Sequence, residues 1–411
     1  MNSEPTIKRF YRLLILSFML LSLSLYMGCE KDDDPVTCNT VDEAGELVEA
    51  TFTMSLTPAQ VAPFLELYGA PIGFTLTHSA DAYKIHYMTR DKDGELILAS
   101  GVMFLPQGVE TMDLVSVQHG TALKRENTGS VNPFYAMDGI MFAMSGFMAV
   151  APDYIGLGVS EDIHPYLHAE LTANAVVDML RAARIYACEN DLDISDQLFL
   201  AGYSEGGYAT MAAQKYIETD YSDEFQLTAV APMSGPYDLI GSTRDLLSRE
   251  TFDIPAFLAY VVVAYDDIYG WNRLSDIFNE PYASMFPGLY DGTQELADVN
   301  DQLPPAIDAL FKTDFTTAFF AGQEIAIQTA LEENTLLDWG PVAPVRLYHG
   351  TADSTVSIDN TLSAFASLQA QGGTSVELVT LSGADHPGGF IPSMILAEAW
   401  FDSLSIAVNS L

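Results

Sequence analysis

Two stretches near the start of the folded region alternate apolar and polar residues. They are Tyr83–Met88 and Leu96–Phe104, and the turn-forming pair Asp93-Gly94 lies between them. A period of two is typical of strands with one buried face, and Asp-Gly is a frequent hairpin turn. The pattern therefore predicts a β-hairpin.

Short, mostly apolar runs follow the hairpin, and a glycine-bearing loop comes after each of the first three. Such runs are typical of parallel strands that are buried on both faces. Residues 169–187 lie between two of the runs and place their apolar side chains on one helical face. Alternating strands and helices predict an α/β fold with a mostly parallel central sheet flanked by helices. The runs are Leu114–Gln118, Phe147–Ala151, Gln197–Leu200, Leu227–Ala231, Val345–Tyr348 and Val376–Thr380.

Residues 236–341 interrupt this alternation. They are rich in Phe, Tyr, Ala and Leu and contain several prolines, which predicts a bundle of short helices inserted at one edge of the sheet. We interpret this segment as a helical cap between the two parts of the core, 51–235 and 342–411. An independent domain is the alternative.

The N-terminus has the features of an export signal. Basic residues precede the apolar run Leu13–Tyr26, and small Gly28 stands directly before Cys29. The run has about 14 residues, short of the roughly 20 that a permanent membrane-spanning helix needs. Residues 1–28 resemble a bacterial lipoprotein signal, which implies a lipidated Cys29 as membrane tether, although Tyr26 and Met27 replace the usual small residues.

Residues 29–50 are predicted to form an acidic linker. Their segment Glu30–Pro35 resembles the Lys-then-acidic signal with which some Bacteroidetes-type lipoproteins reach the cell surface; an ordinary charged tether is the alternative. The sequence thus predicts an outer-membrane or cell-surface lipoprotein, or otherwise a periplasmic protein. Cys38 and Cys188 remain as an even pair, either as a disulfide or as two unrelated cysteines.

The charge balance excludes nucleic acid as a partner. The chain has 17 Lys and Arg against 56 Asp and Glu, a formal net charge of −39. Such a surface repels a phosphate backbone, whose binding depends on clustered cations. A solvated acidic surface explains the charge, and specific cation binding is the alternative.

The segment Gly202-Tyr203-Ser204-Glu205-Gly206 carries the clearest chemical signal. It follows a buried strand and precedes the predicted helix Tyr208–Ile217. A nucleophilic serine needs a sharp strand-to-helix turn, and glycines are needed on both sides where side chains would clash. We therefore predict a nucleophile elbow with Ser204 at its tip and Gly202 and Gly206 beside it.

A nucleophilic serine needs a base, and the base needs a carboxylate. On this type of sheet the chain order is serine, acid, histidine. Asp353 follows a strand and is the predicted acid; Asp359 is a weaker candidate because it lies at a helix start. His386, in a Gly-flanked loop, is the predicted base, and His349 is interpreted as a loop-packing residue.

The oxyanion hole is predicted from backbone N–H groups. One belongs to Glu205, the residue after the nucleophile, and the other to Thr121, with Gly120 as the alternative. The Glu205 side chain either bonds across the site or caps the helix start. His164 and His168 have a metal-pair spacing, but no carboxylate or cysteine pattern completes it, so no metal or cofactor is predicted.

Together these residues resemble the α/β-hydrolase fold over about residues 80–400, and within it the secretory lipase family and related bacterial esterases. Three features carry the narrower resemblance: the segment 202–207, the segment 153–158 followed by His164-Pro165-Tyr166, and the large insertion before Asp353. The family's triad falls on Ser204, Asp353 and His386. Family members commonly have Gln where this chain has Glu205, and some fungal members use an acidic turn where this chain has residues 119–121.

The resemblance implies hydrolysis of a small-molecule or lipid ester through an acyl-enzyme, with acyl selection under the cap. A serine peptidase on the same fold and a non-catalytic surface binding protein are the alternatives. Aromatic residues of the cap suit an acyl chain or an aromatic ester, or else form the core of the cap. They are Phe252, Phe257, Tyr260, Tyr265, Tyr269, Trp271, Phe278 and Phe286. The oligomeric state is not predicted.

Overall fold

The computed structural model describes residues 43–67, 70 and 76–405. The signal peptide, the lipidation site Cys29 and the cysteine Cys38 lie outside these residues. Cys188 is disulfide-bonded, and its pairing with Cys38 stays a prediction. Within the described ranges, no helix is long and apolar enough to cross a membrane.

The described chain forms a nine-stranded sheet with the order β1-β2-β3-β5-β4-β6-β7-β8-β9. The predicted hairpin is the antiparallel pair β2–β3, β1 extends it, and β3 also pairs antiparallel with β5. From β5 to β9 all neighbours are parallel. The strands are β1 (Leu47–Leu56), β2 (Ala80–Arg90), β3 (Leu96–Pro106), β4 (Thr111–Gln118), β5 (Met148–Pro152), β6 (Asp193–Tyr203), β7 (Ala229–Met233), β8 (Val345–Gly350) and β9 (Val376–Leu381).

Helices cover both faces of the sheet, which is why its central strands are apolar on both sides. In β6, Leu198 and Leu200 belong to the hydrophobic core that also includes side chains of α3, α4 and α13. Phe199 and Ala201 belong to the core on the other face, with side chains of α1, α2 and α14. These helices are α1 (Pro58–Leu67), α2 (Met137–Met144), α3 (Ala169–Glu189), α4 (Glu205–Asp220), α13 (Ile358–Ala370) and α14 (His386–Leu404). The predicted mostly parallel α/β fold is confirmed.

The predicted linker 29–50 is too long at its C-terminal end. Strand β1 begins at Leu47, and Ala50 is already paired with Ile85 of β2. Most side chains of β1 are exposed or half-buried because it is an edge strand. An edge strand buries little apolar surface, so its sequence pattern is weak.

The helical insertion, residues 236–341, leaves the sheet after β7 and returns at β8. These two strands are paired neighbours with β9 beyond them, so the insertion lies within the strand order and not at an edge of the sheet. It shares a hydrophobic core with the face covered by α3 and α4, and it is therefore not packed as a separate unit. Its helices are α5 (Leu239–Ser248), α6 (Pro255–Ile268), α7 (Leu274–Ile277), α8 (Tyr282–Leu289), α9 (Leu296–Asn300), α10 (Ile307–Leu310), α11 (Thr313–Phe320) and α12 (Ile325–Glu333).

Candidate active site

Ser204 stands alone between the end of β6 and the start of α4. Its backbone has φ 62° and ψ −122°, a conformation that costs a non-glycine residue free energy and is found mainly at functional sites. The Ser204 N–H donates to Met233 O at 2.9 Å, which ties the turn to β7. The strained turn lifts the hydroxyl off the sheet, as expected for a nucleophile elbow.

The two glycines of the predicted elbow permit close backbone contacts. A Cβ on Gly202 would overlap Gly206 O and lie 2.6 Å from Gly206 C. A Cβ on Gly206 would overlap Gln118 O and lie 2.6 Å from Gln118 C, at the end of β4. Any side chain at either position would push the turn away from the strand ends that it contacts.

The structure brings the three predicted triad side chains into one hydrogen-bonded chain. His386 Nε2 lies 2.8 Å from Ser204 Oγ, and His386 Nδ1 lies 2.6 Å from Asp353 Oδ2. The Asp353 side chain is fully buried, and that of His386 is 15% exposed. A carboxylate on Nδ1 leaves Nε2 free to accept a proton from the hydroxyl.

Asp353 is held in the loop after β8 by several donors. Its Oδ1 accepts the N–H groups of Thr355 and Val356 at 3.0 and 2.9 Å. Burial by itself would raise the pKa of Asp353, but hydrogen bonds from His349 and His386 outweigh burial and lower the pKa to about 2. The carboxyl group is therefore ionised at neutral pH and can stabilise a positive charge on His386.

His349 and Asp359, the other two residues considered in the sequence near Asp353, have contacts that hold the local fold together. His349 is buried; its Nδ1 lies 2.6 Å from Thr361 Oγ1 and its Nε2 2.9 Å from Val356 O. Its Nε2 is also 3.4 Å from Asp353 Oδ2, so it packs beside the acid as well as within the loop. Asp359 lies in the first turn of α13, at a helix start as expected.

His386 is fixed more firmly than a glycine-flanked loop would hold it. It is the first residue of α14, and Asp385 caps this helix by accepting the Gly388 N–H at 2.8 Å. The Tyr203 hydroxyl donates to His386 O at 2.6 Å. The backbone of His386 is therefore held by a helix start and by the residue before Ser204.

Two of the residues predicted for the oxyanion hole, Gly120 and Glu205, lie next to Ser204. A Cβ placed on Gly120 would lie 3.7 Å from Ser204 Cβ, so the loop after β4 reaches the nucleophile. Among the described residues the Thr121 N–H has no hydrogen-bond acceptor. Glu205 begins α4, and the N–H groups of a first helical turn have no partner inside the helix. Their role in an oxyanion hole stays a prediction.

The Glu205 side chain bonds across the site. Its Oε1 lies 2.6 Å from His164 Nε2, and both side chains are almost completely buried. His168 is the N-cap of α3 and accepts the Leu171 N–H. The two histidines therefore have separate structural partners. In the part of the chain that the structure describes, no group of three His, Cys, Asp or Glu residues could hold a metal ion.

A cavity of about 510 Å³ lies between the helical insertion and the loop after β8. Tyr166, Phe252, Phe257 and Leu258 contribute its apolar wall, and Val356 borders it on the side of Asp353. Of the described residues, neither Ser204 nor His386 belongs to the wall.

The aromatic residues of the insertion divide between this cavity and the core. Phe252 and Phe257 line the cavity. By contrast, Tyr260, Tyr265, Phe278 and Phe286 are buried within the hydrophobic core. Tyr269 and Trp271 pack against that core with their rings stacked on each other at 5.2 Å. Most of these residues are therefore core, and two of them face the cavity.

Comparison with known proteins decides the family. The chain matches the secretory lipase family over residues 138–404, which include all three triad positions. The chain belongs to this family. A hydrolase that acts on esters is supported by this membership, and the family's name suggests an exported protein. A search of curated protein sequences finds no match.

Solved structures of similar proteins agree with the family. A protein from Legionella pneumophila described as a hydrolase is 28% identical, with a TM-score of 0.81 over 87% of this chain and 98% of that one. The rice cell wall degrading esterase LipA from Xanthomonas oryzae is 30% identical, with a TM-score of 0.76 over 89% and 97%. Candida antarctica lipase A, at 15% identity and a TM-score of 0.65 over 91% and 86%, shares the fold. The α/β-hydrolase fold is thereby confirmed.

Sequence reasoning missed the partners of the predicted site residues. Thr121 Oγ1 lies 3.0 Å from the Tyr166 hydroxyl, and Glu205 is bonded to His164. Both partners belong to the His-Pro-Tyr segment on which the family resemblance partly rests. The pattern therefore identified the segment but not its contacts.

Proposed function

We propose that the protein is a serine esterase or lipase in which Ser204, His386 and Asp353 are the nucleophile, the base and the acid. The observation that carries this proposal is the continuous chain of hydrogen bonds at 2.6 and 2.8 Å from Asp353 through His386 to Ser204. Family membership supports the same chemistry. The strained elbow supports the choice of nucleophile.

In the first half of the proposed reaction, His386 Nε2 takes the proton of Ser204 as Oγ forms a bond to the ester carbonyl carbon. The carbonyl oxygen becomes an oxyanion, and the N–H groups of Glu205 and Thr121 bind it. Each such donor is typically worth about 10²–10³ in rate. The ester C–O bond then breaks, and His386 returns its proton to the leaving alcohol.

In the second half, water replaces the alcohol. His386 takes a proton from the water, the hydroxide oxygen attacks the acyl carbon, and the same two N–H groups bind the second oxyanion. The bond between Ser204 Oγ and the acyl carbon breaks, and the serine regains its proton. Asp353 stays ionised throughout, as its lowered pKa favours.

The cavity under the helical insertion is the proposed place for the acyl group. Its wall reaches Tyr166, which bonds to Thr121, and Val356, which bonds to Asp353. The cavity therefore borders the site from two sides. The insertion acts as a cap in this proposal. We further propose that lipidated Cys29 tethers the mature chain to a membrane and that Cys188 pairs with Cys38.

The test is a series of p-nitrophenyl esters of increasing acyl length, given to the mature chain beside aminoacyl nitroanilides. We expect ester turnover that peaks at one chain length and disappears in Ser204→Ala. Turnover of the anilides alone would establish the peptidase alternative. Absence of any turnover, together with no labelling of Ser204 by a fluorophosphonate, would establish the non-catalytic alternative.

A further inference from the structure

The two residues assigned to the oxyanion hole have one structural feature in common. The side chain of each is hydrogen-bonded to the segment His164-Pro165-Tyr166. Glu205 Oε1 lies 2.6 Å from His164 Nε2, and Thr121 Oγ1 lies 3.0 Å from the Tyr166 hydroxyl. Glu205 and Thr121 come from different parts of the chain, and their N–H groups must converge on one oxygen atom.

We propose that residues 164–166 position both oxyanion-hole amides, so that His164 and Tyr166 are positioning residues for the transition state. This inference rests on the proposed function and goes beyond it by assigning a role to two residues outside the triad. The segment connects the two donors through their side chains, and their amides stay free for the oxyanion.

The orientation of His164 is fixed from several directions. Its Nδ1–H donates to Ile155 O at 2.8 Å, because a carbonyl oxygen can only accept. Its ring stacks on Tyr154 with centroids 5.7 Å apart. A Cβ on Gly156 would lie 2.6 Å from His164 Cα, so this glycine permits the close approach. His164 can therefore hold Glu205 at a defined position.

The contact between His164 and Glu205 requires a shared proton. Since Nδ1 already carries a hydrogen, a neutral His164 has a lone pair on Nε2, which would repel an ionised Glu205 at 2.6 Å. The proton therefore lies on Nε2 or on Oε1. In both arrangements the side chains form one hydrogen bond, which buried surroundings strengthen.

Tyr166 is fixed by stacking. Its ring is parallel to that of Tyr260, with an interplanar angle of 9° and centroids 4.4 Å apart, and it is 4% exposed. The stacking thus holds the Tyr166 hydroxyl at a fixed position, within hydrogen-bonding distance of Thr121 Oγ1. Thr121 lies in an irregular loop outside any strand or helix, so this side-chain bond helps to set the direction of its N–H.

Such positioning matters because an oxyanion-hole donor works only at its correct distance from the developing charge. Groups that contact the reacting atoms but are held loosely are a frequent cause of weak catalysis. A fault in positioning acts on the transition state more than on the bound ester. It should therefore lower kcat and leave KM nearly unchanged.

The first experiment removes the bond between Thr121 and Tyr166 from either end. Thr121→Val and Tyr166→Phe each delete one hydroxyl and keep the shape of the side chain. We expect each to lower kcat on the best p-nitrophenyl ester about tenfold, with KM changed less than about threefold. The double variant should be no slower than the slower single variant, because all three lack the same bond.

Tyr290→Phe is the matched control. The Tyr290 hydroxyl is also buried in the insertion and donates to Ala256 O at 2.8 Å, so its removal leaves both side-chain hydrogen bonds of the 164–166 segment in place. We expect its kcat to equal that of the wild type. Thermal unfolding of all variants separates a positioning effect from a general loss of stability.

The second experiment tests the other donor by rescue. Glu205→Met removes the bond to His164 and keeps the length of the side chain, so kcat should fall. In Glu205→Gln the amide N–H₂ can donate to His164 Nε2, and kcat should recover most of that loss. The inhibition constant of an alkyl boronic acid, which forms a tetrahedral adduct with serine, should rise in the variants whose kcat falls.

The outcomes distinguish this inference from the function on which it rests. If the wild type hydrolyses esters and Thr121→Val, Tyr166→Phe and Glu205→Met all keep its kcat, the positioning role is refuted and the esterase stands. Additive losses in the double variant, or equal losses in Tyr290→Phe, also refute it. If the wild type hydrolyses no ester, the proposed function itself fails.

Discussion

Replacing Asp353 by asparagine tests the proposed acid through the position of a single proton. In the wild type, Oδ1 accepts the N–H groups of Thr355 and Val356, and Oδ2 faces His386 Nδ1 at 2.6 Å. The asparagine oxygen should remain with the two N–H groups, because an NH₂ group there would face two donors. The new NH₂ group must then point at His386.

This reversal changes the tautomer of His386. An NH₂ group donates to Nδ1, so the imidazole proton moves to Nε2, which lies 2.8 Å from Ser204 Oγ. A protonated Nε2 cannot accept the proton of the serine. The same change in a serine triad lowers kcat by about 10⁴, which corresponds to about 5 kcal/mol of activation free energy. We expect a loss of about 10³–10⁴ in kcat, with KM changed less than about threefold.

The assay is steady-state hydrolysis of the best p-nitrophenyl ester by Asp353→Asn and by the control Asp385→Asn. Asp385 is next to the base and caps α14, a role that asparagine fills equally well. The control should therefore keep the kcat of the wild type. A loss below about tenfold in Asp353→Asn, or a comparable loss in the control, would refute the assignment of Asp353 as the acid.

Two further predictions concern stability. Gly206→Ala places a Cβ against Gln118 O and should lower the unfolding free energy by about 2 kcal/mol or more. Gly288→Ala is the control and should not lower it, because the space around Gly288 is open. Urea titration measures the unfolding free energy of both variants. Burial lowers the pKa of His168 from 6.5 to about 4, so between these pH values the unfolded chain binds a proton that the folded chain does not. Stability should therefore fall by up to about 3 kcal/mol as the pH drops through this window, and His168→Asn should remove this part of the fall; equal pH dependence in both proteins would contradict it.

The central strands of the parallel half were predictable because they have a local signature. A strand buried on both faces must be apolar throughout, and β5 and β7 are fully buried along their length. Strand β1 lacks such a signature, since an edge strand leaves most of its side chains in solvent. The place of the helical insertion in the strand order could not be predicted from the sequence either. It depends on the pairing of β7 with β8, which are separated by about a hundred residues.

The three side chains that the structure joins by hydrogen bonds could be selected from the sequence for a related reason. Ser204 lies in an elbow whose glycines are dictated by the turn, and Asp353 follows the strand β8. By contrast, the bonds of Glu205 to His164 and of Thr121 to Tyr166 join residues more than 40 positions apart in the chain. No periodicity or turn chemistry relates such residues, so only the folded structure identifies these pairs.

The sequence at the start of α14 contains a helix-capping pattern that we interpreted as a loop. Asp385 followed by His386 and Pro387 is a typical helix N-terminus, with a capping aspartate and proline in the first turn. The glycines on either side favoured a loop instead. Recognition of the cap would have placed His386 at a fixed helix start, which is a better position for a base than a mobile loop.

The location of the helical insertion follows from the direction of the strands. In a parallel sheet, the loops after β4, β6 and β8 all leave from the edge formed by the carboxyl ends of the strands, and these loops carry Thr121, Ser204 and Asp353. The insertion begins after β7, which is parallel to both β6 and β8, so it must also leave from that edge. Under the proposed function, the sequence of the insertion can therefore change without moving Ser204 and Asp353, which are placed by the strand ends.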